Sequence, residues 1–444
     1  MSPIVYRINT LLCLLLRRVP LGTNLALMHL FWALLSGRFL ASRGAVFPAL
    51  AALGLPDDAV RRAGAALHYG CFDVCDLIQD WHKTVLQESH FRPHVHGGLR
   101  PVPVDMVGFG RPKLVGCPTK HYTSTAGKAL PATVLGMVGA SGSVGTKRLC
   151  LPRFLVECAL TDGSEAEHQK RTVVQAVASL ADDEVVIVDA GFSLEHLLGV
   201  ENARFVIRGA KNFTARKNQV PRYKGKGRRP EFGEIVRPLA RTYKQKTLAA
   251  TPPDEIAEWT DGKHRLVAHL FEDLVLTEAK PGSACFRCVV ISDPRYKEPL
   301  ILVTCLSRKV LARDLWLLYR DRWPVEQMPL AAKQMLGASR AFVFTKESRT
   351  RLPQLALLAG SVLSYVAATS APVATGFWDR ACRPTCGRLR RVLSCLHFSD
   401  LALEETSAGQ VRKKASVTAH LRKGILGHRR VQAVLEPLIF RLAA

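Results

Sequence analysis

The sequence predicts an α/β fold with helical regions at both ends of the chain and a β-rich insertion between two parts of its core. Apolar residues recur every three or four positions in the first 95 residues and again after about residue 310, as in amphipathic helices. Between these regions lie short β-branched runs separated by Gly and Ser, as in strands. With 48% hydrophobic and 22% charged residues among 444, the composition excludes a disordered chain.

Residues 1–95 are predicted to be helical. Helical periodicity runs through residues 25–40 and 59–86, and a Gly-Leu-Pro-Asp-Asp turn lies between them at 54–58. Two interpretations remain open for this region. It is either an ordinary helical bundle or a domain that binds DNA ends through a helix-turn-helix motif.

Residues 96–211 form the first part of the predicted core. Three strands are expected at 102–107, 132–140 and 148–159, and a helix at 164–180. The run Glu-Val-Val-Ile-Val-Asp at 184–189 is typical of a strand buried on both faces. Another helix and a strand at 204–208 follow. This order of three strands, helix, strand, helix and strand is consistent with a ribonuclease-H-like sheet.

The rest of the chain divides into three further predicted regions. Residues 212–305 open with a Lys/Arg/Gly-rich stretch and continue in short alternating segments, which indicates a β-rich basic insertion. Residues 306–345 return to the core as its second part. Residues 346–444 are predicted to be a helical, basic C-terminal region.

The net charge of +25 is concentrated in two segments. Residues 204–246 hold 14 basic and 2 acidic residues, and residues 380–430 hold 12 basic and 3 acidic residues. Arginine is the more frequent basic residue, and its planar guanidinium suits phosphate better than the ammonium of lysine does. The two segments therefore indicate an anionic polymer as the partner of this protein.

A cytoplasmic location is expected from three features. The apolar run at 10–16 has no basic segment before it and no small-residue cleavage site after it, unlike a signal peptide. Residues 352–378 are apolar and uncharged, but Pro and polar residues interrupt them, which favours buried helices over the alternative of a membrane anchor. The 12 cysteines fit reduced thiols, and Cys285 and Cys288 lack a second pair at zinc-site spacing.

Two aspartates and one helical segment are the candidates for chemistry. Asp105 and Asp189 each follow a predicted core strand, so neighbouring strands could bring them together. In a regular helix over 315–336, four polar residues would share an arc of about 60°; they are Tyr319, Arg322, Glu326 and Lys333. Carboxylates on two strands and a facing helix would bind Mg²⁺, which prefers oxygen ligands. Pro329 lies inside this segment and should remove one backbone hydrogen bond.

Other candidates carry weaker signals. His121 is expected to be a solvated loop residue, and the Lys/Gly/Arg run at 224–229 is expected to be a flexible loop on DNA phosphate. Trp259 and Trp316 could stack on a displaced base, but a buried position is the more common one for tryptophan.

The spacing Tyr319-x2-Arg322-x3-Glu326-x6-Lys333 resembles the Tyr-Arg-Glu-Lys signature of DDE transposases from bacterial insertion sequences. The run Val-Ile-Val-Asp-Ala-Gly-Phe that contains Asp189 is similar to the strand of that family's second acid, and residues 204–212 are similar to the basic strand that follows. The resemblance covers about residues 100–345. The long interval before Glu326 is similar to family members that carry a β-rich insertion.

The resemblance implies a cut-and-paste transposase with a ribonuclease-H-like catalytic core. It implies that Asp105, Asp189 and Glu326 bind Mg²⁺ or Mn²⁺, with two ions in the site. It also implies DNA-phosphate contacts by five residues: Tyr319, Arg322, Lys333, Arg208 and Lys211. The expected partners are double-stranded DNA, as element ends and target, and a second copy of the chain in the DNA complex.

In the cell, the resemblance implies a cytoplasmic, nucleoid-associated protein without a membrane partner. The enzyme would cleave DNA strands and transfer them in a metal-dependent reaction. The alternative is a catalytically inactive DNA-binding protein descended from a transposase, since the same distribution of charge would suit it equally well.

Overall fold

The computed structural model describes residues 3–110, 119–123, 126–158, 163–223, 225, 228–340, 343–374, 376–395, 401–402 and 441–442. The chain forms two compact units. Unit 1 contains Met1–Arg92, Met106–Glu165 and Pro324–Ala444, and unit 2 contains Pro93–Asp105 and Ala166–Trp323. Helices lie towards both termini, and unit 2 contains a large mixed sheet. The expected α/β class is confirmed.

The N-terminal part of unit 1 is helical, as predicted. Its helices are α1 (Pro3–Leu16), α2 (Thr23–Leu35), α3 (Arg38–Ala41), α4 (Val46–Ala51), α5 (Asp57–Tyr69) and α6 (Val74–Gln87). In α1 the buried residues Ile8, Leu11, Leu12 and Leu15 recur at helical spacing and face the core. The periodic run at 59–86 is two helices, because Asp73 accepts a 2.7 Å hydrogen bond from the Cys75 amide and begins α6.

The strands that follow in the chain are β1 (Phe91–Pro93), β2 (Arg100–Gly110), β3 (Thr119–Thr123), β4 (Lys128–Val144) and β5 (Lys147–Glu157). In unit 1, β4 and β5 form an antiparallel hairpin, and Gly145 at its turn has a φ of +56°. Strand β3 pairs with β4 and was not expected, because Lys120 and His121 make its sequence resemble a polar loop. The three strands predicted over this part of the chain are confirmed.

In unit 2, the central strands run parallel. The elements are α7 (Glu165–Ala178), β6 (Glu184–Val188), α8 (Leu194–Leu198) and β7 (Phe205–Arg208). Strand β6 pairs in parallel with β2 on one side and with β7 on the other. Every residue of β6 is buried, as its apolar sequence predicts.

The β-rich stretch of the sequence continues the sheet of unit 2. Its strands are β8 (Ala215–Lys217), β9 (Ile235–Val236), β10 (Arg241–Tyr243), β11 (Lys246–Leu248), β12 (Glu255–Asp261), β13 (His264–Val275), β14 (Phe286–Ser292) and β15 (Leu300–Thr304). Strand β15 pairs antiparallel with β7, and β14 and β13 follow as antiparallel neighbours. This stretch is therefore β-rich, as predicted, and it is hydrogen-bonded to the parallel strands.

The prediction of a single regular helix over 315–336 is wrong. Helix α9 (Ala312–Arg320) ends before the 3-10 turn Trp323–Glu326, which is followed by α10 (Gln327–Leu330) and the π-helical turn Ala331–Met335. Pro324 and Pro329 lack the amide hydrogen that a regular helix needs at these positions, so the hydrogen-bonding pattern changes along the segment. The prediction that Tyr319, Arg322, Glu326 and Lys333 share one arc requires a single regular helix, so it does not hold for this segment.

The C-terminal part of unit 1 contains α11 (Lys346–Thr369) and α12 (Cys386–Leu393), and two short strands, β16 (Leu401–Ala402) and β17 (Arg441–Leu442), pair with each other. Helix α11 is long and apolar enough to cross a membrane, but 89% of its apolar window is buried inside the protein. That burial is what a core helix shows. Much of the basic segment at 380–430 lies outside the described residues.

Candidate functional site

Asp105 and Asp189 both follow the paired residues of two neighbouring parallel strands of unit 2. Strands β2 and β6 are parallel, and their register pairs Pro103 with Ile187. Asp105 lies two residues beyond this pair within β2, and Asp189 lies two residues beyond it, directly after the end of β6. Neighbouring strands are about 4.8 Å apart where they pair. Two of the three predicted acids thus follow the same end of two paired stretches.

Three side chains of unit 2 surround the carboxylate of Asp189. The hydroxyl of Tyr319 donates a 2.8 Å hydrogen bond to its Oδ1. Arg208 Nη1 lies 3.7 Å from the same oxygen, and Arg322 Nη2 lies 3.8 Å from Oδ2. The Asp189 side chain is 35% exposed, so a small ligand can reach it from solvent.

The surroundings of Asp189 keep its carboxyl ionised. Burial favours the neutral acid, but the positive charge of Arg322 and the hydrogen bond from the Ala190 amide oppose it. With the further contributions of Tyr319 and Arg208, the pKa of Asp189 lies below its ordinary value. Burial and the charge of Asp189 raise the pKa of Tyr319 to about 12, so this phenol remains a donor at neutral pH.

Helix α9 holds Tyr319 at Asp189 because its other face is buried. Leu315 and Leu318 are fully buried, and they pack with apolar residues of the unit 2 sheet. Trp316 belongs to the same core, and its ring lies 6.1 Å from that of Trp259. Trp316 is therefore a buried core residue, the more common of the two positions considered for it.

Arg322 is oriented differently from an exposed DNA contact. Only 8% of the residue is exposed, and its guanidinium lies 5.8 Å from the centre of the Tyr319 ring. Arg208, the last residue of β7, has a side chain that is 49% exposed. Of these two arginines, Arg208 has the more accessible charge.

Lys211 follows β7 and is exposed over 73% of its side chain. Its ammonium lies 2.6 Å from Oε1 of Glu298, an exposed partner in the same unit. An exposed pair of this kind contributes about 0–1 kcal/mol to stability. Lys211 can therefore exchange Glu298 for another anion at little energetic cost.

The other two signature residues, Glu326 and Lys333, belong to unit 1. Glu326 ends the 3-10 turn Trp323–Glu326 and is half-buried. Lys333 lies in the π-helical turn, and its ammonium is 5.1 Å from the centre of the Phe109 ring in the same unit. Tyr319 and Arg322 are in unit 2, so the signature spans both units.

The oxygen chemistry of Asp105 and Asp189 fits a hard divalent cation. Mg²⁺ prefers oxygen ligands and commonly binds to one or two carboxylates while it keeps several waters. Asp189 offers an ionised, partly exposed carboxylate, and Asp105 is half-buried on the neighbouring strand. The pair on its own supplies the ligand type that such an ion needs.

A second group of possible metal ligands lies in unit 2 and was not predicted. It consists of His94, His96 and Asp321, whose ligand atoms lie within 4.8 Å of one another. The nitrogens His94 Nδ1 and His96 Nε2 are each 2.7 Å from Oδ2 of Asp321. Burial opposes ionisation of Asp321, but hydrogen bonds from both histidines outweigh it and lower the pKa of the acid to about 2.

The sequence contained a signal for this second group. His94 and His96 are separated by one residue, which places both side chains on one side of an extended backbone. Asp321 lies 225 residues later than His96, inside the Tyr-Arg-Glu-Lys segment. No pattern in the sequence links Asp321 to two histidines so far away. Only the His-x-His part of the group could therefore have been found from the sequence.

Comparison of the chain with known protein families and with curated proteins finds no match.

Proposed function

We propose that this protein is a DDE-type transposase that binds the terminal inverted repeats of its element, cleaves DNA strands and transfers them to a target. The reaction would depend on divalent metal ions and would follow the cut-and-paste route. Its partners would be the element ends and the target DNA, bound by a homodimer, and its location would be the cytoplasm, in association with the nucleoid.

One observation carries this proposal. The signature that suggested the family begins with Tyr319 and Arg322, whereas Asp189 was assigned from a separate part of the sequence. In the structure Tyr319 donates a 2.8 Å hydrogen bond to Asp189, and Arg322 lies 3.8 Å from it. Two independent parts of the resemblance therefore meet at one carboxylate, which supports a shared role.

Each residue has a role in the proposed reaction. Asp105, Asp189 and Glu326 would hold Mg²⁺ or Mn²⁺ through carboxylate oxygens. Two such ions, when bound, supply the activation of the attacking hydroxyl and the stabilisation of the leaving oxygen. Tyr319 keeps the Asp189 carboxylate in place through its hydrogen bond, and the buried Arg322 holds the same group by charge.

The exposed basic residues would bind the DNA backbone. Arg208 and Lys211 lie at and just after the end of β7, beside the strand that leads to Asp189, and their exposed side chains suit phosphate. Lys333 would bind phosphate from unit 1. Arg322 remains in the proposed set, and its burial favours a contact with a phosphate that enters the site rather than with the outer backbone.

The order of the elements supports a ribonuclease-H-like core. Apart from the short β3, the chain runs through strands β2, β4 and β5, helix α7, strand β6, helix α8 and strand β7. Strands β2, β6 and β7 are parallel. This is the succession expected from the sequence, with Asp105 in β2 and Asp189 directly after β6.

The proposal predicts that Asp189→Asn and Glu326→Gln each lower metal-dependent DNA cleavage by about 100-fold or more, because a metal ligand contributes several kcal/mol to the transition state. The assay uses a plasmid that carries the genomic DNA flanking this reading frame, incubated with the full chain and Mg²⁺. Binding to the same DNA should change by less than about threefold.

Asp182→Asn is the matched control, since Asp182 is an exposed acid seven residues before Asp189. It should cleave at the wild-type rate. Wild-type cleavage by Asp189→Asn or Glu326→Gln would contradict the assignment of the site. Binding without cleavage by the wild-type chain, at any concentration of Mg²⁺ or Mn²⁺, would favour the inactive DNA-binding descendant instead.

A further inference from the structure

His94 and His96 are held on a short, rigid part of unit 2. Gly97 and Gly98 form a tight turn with φ angles of +56° and +80°. The His96 and Leu99 backbones close this turn with hydrogen bonds of 2.8 and 3.0 Å. Positive φ at both central positions is typical of a two-residue hairpin turn and favours glycine. The turn therefore fixes the position of His96 before any ligand binds.

The same turn packs closely on α9. A Cβ atom at Gly97 would lie 2.9 Å from Oδ2 of Asp314 in that helix, so the turn lies directly against the Asp314 side chain. Asp321 lies two helical turns after Asp314, immediately after the end of α9. Its amide donates to the carbonyls of Leu317 and Leu318 at 3.2 Å, which fixes its backbone. The glycine turn thus positions His96, and the end of α9 positions Asp321.

The three ligand atoms lie within 4.8 Å of one another. Oδ2 of Asp321 lies 2.7 Å from a nitrogen of each histidine, and Asp321 is only 3% exposed. The side chains of His94 and His96 are 20% and 18% exposed, so the group opens towards solvent on the histidine side. Two imidazoles and one carboxylate with an open fourth position form a common ligand set for zinc.

From this geometry we propose that His94, His96 and Asp321 bind one transition-metal ion of the zinc class, with water as the fourth ligand. The site is distinct from the aspartate pair Asp105 and Asp189, and it does not depend on the proposed function. Its nitrogen ligands favour Zn²⁺, Co²⁺ or Ni²⁺, whereas Mg²⁺ prefers oxygen.

A zinc ion would require the ligand atoms to move. Ligand atoms of a tetrahedral zinc ion lie about 3.3 Å apart, given metal–ligand distances of about 2.0–2.1 Å. The two contacts of 2.7 Å to Asp321 would therefore lengthen by roughly 0.6 Å. The two histidine nitrogens, which lie within 4.8 Å of each other, would also have to reach about this spacing. Each neutral imidazole would bind through the nitrogen that now faces Asp321, after its proton moves to the other ring nitrogen.

The bound ion would join two segments of unit 2. His94 and His96 precede β2, the strand that carries Asp105, and Asp321 lies between Tyr319 and Arg322. A metal bond between these segments would stabilise the folded unit against unfolding, since the unfolded chain does not hold the three ligands together. Its effect is therefore measurable without any DNA.

The test is titration of the full-length protein, freed of metal by a chelator, with Co²⁺ and then with Zn²⁺. Visible absorption reports the geometry of bound Co²⁺, and equilibrium dialysis counts bound Zn²⁺. We expect the protein to bind one equivalent of Co²⁺ or Zn²⁺ per chain that excess Mg²⁺ does not displace. The cobalt complex should lack a thiolate charge-transfer band, which separates this site from binding by any of the 12 cysteines.

The variants His94→Ala and His96→Ala should each weaken binding of that equivalent at least about 100-fold, and Zn²⁺ should raise the Tm of the wild-type chain only. His264→Ala is the control, because His264 is exposed in the same unit, and it should bind like the wild type. Far-ultraviolet circular dichroism verifies that each variant folds. Absence of the equivalent in the wild type, or its retention in both histidine variants, would overturn the proposal in favour of a hydrogen-bonded cluster without metal.

Discussion

The side chains around Asp189 differ in how closely they approach its carboxylate. Tyr319 donates a hydrogen bond of 2.8 Å, whereas the two arginines lie 3.7 and 3.8 Å away. Of the two arginines, the buried Arg322 contributes more than the exposed Arg208 to the lowered pKa of Asp189. By distance, the hydroxyl of Tyr319 ranks first as the group that orients the carboxylate.

Tyr319→Phe tests this ranking. The variant removes only the hydroxyl, and we expect the free energy of unfolding to fall by about 1 kcal/mol, since Asp189 is partly exposed and water replaces the missing donor. Cleavage of DNA should fall about tenfold because the carboxylate gains freedom. Urea unfolding and the plasmid assay measure the two effects. Tyr296→Phe, at a residue that is 70% exposed, should change neither; an equal loss in both variants would contradict the ranking.

For individual residues, the sequence predicts which side chains are candidates for the site better than it predicts how deeply each is buried or what it contacts. A strand end singles out Asp189 in the sequence and a signature singles out Tyr319, and the two side chains are hydrogen-bonded. The burial of Arg322 and the convergence of His94 with Asp321 depend on how distant segments pack, and no local pattern carries that information. Those features became visible only in the folded chain.

Among the elements, the segment from α9 to the 3-10 turn Ala338–Arg340 departs most from expectation. Apolar spacing predicted one helix, but the segment passes through α-helical, 3-10 and π-helical turns. Pro324 and Pro329 explain why a regular hydrogen-bonding pattern fails there. A π-helical turn changes where side chains point, and such turns are frequent at functional sites. Lys333 lies in that turn, so its orientation could not follow from helical periodicity.

Gly337, which follows the π-helical turn, limits how this segment can be built. Its φ is +79°, and a Cβ atom would lie 2.6 Å from the Leu40 nitrogen and 2.7 Å from the Phe39 carbonyl carbon in the same unit. We expect Gly337→Ala to lower the free energy of unfolding of the chain by about 2–4 kcal/mol, because it adds a backbone clash to the strain of positive φ. Urea or thermal unfolding measures the loss.

Gly127→Ala separates the clash from the strain. Gly127 also has a positive φ, of +61°, but nothing lies within 4 Å of its Cβ position. Its substitution should cost about 1 kcal/mol, the effect of φ alone. Equal losses at the two glycines would contradict the close approach between Gly337 and the backbone at 39–40.

For the molecule as a whole, the net charge of +25 is the property most relevant to the proposed DNA partner. Not every basic residue of the segment 204–246 is available for phosphate. Arg216 donates to the carbonyls of Thr277 and Gly233, and Lys217 pairs with Asp254. These two residues hold strands of unit 2 together. Lys224 and Lys226 lie outside the described residues, and Arg222 and Arg229 are exposed.

Arg222 and Arg229 are therefore the better positions for testing electrostatic binding. In the double variant Arg222→Gln and Arg229→Gln, the slope of log affinity for duplex DNA against log salt should become shallower by about 1–2, since each phosphate that the protein no longer neutralises changes it by about 0.9. Fluorescence anisotropy over a salt series measures the slope. Lys263→Gln with Lys297→Gln, two exposed lysines of unit 2, is the charge-matched control. An unchanged slope in the arginine variant would show that Arg222 and Arg229 do not contact DNA phosphate.

The α/β class of the fold could be predicted from the sequence because its strands are apolar, short and separated by clear turns. The buried strand β6 and the helical N-terminal region are examples, and both have strong local patterns. The pairing of β15 with β7 could not be predicted, since strand partners far apart in sequence are selected by packing. The same limit explains why the division into two units does not follow the changes in composition along the chain.

The most direct test of the proposed function concerns Asp105 and Asp189, the two proposed metal ligands in unit 2. In the variants Asp105→Cys and Asp189→Cys a thiolate replaces a carboxylate, which weakens binding of Mg²⁺ more than binding of the softer Mn²⁺. We predict that each variant loses about 100-fold or more of plasmid cleavage in Mg²⁺ and regains at least about tenfold in Mn²⁺. Asp182→Cys should behave like the wild type in both metals. Wild-type cleavage in Mg²⁺ by either variant, or the same loss in both metals, would contradict the assignment of these aspartates as metal ligands.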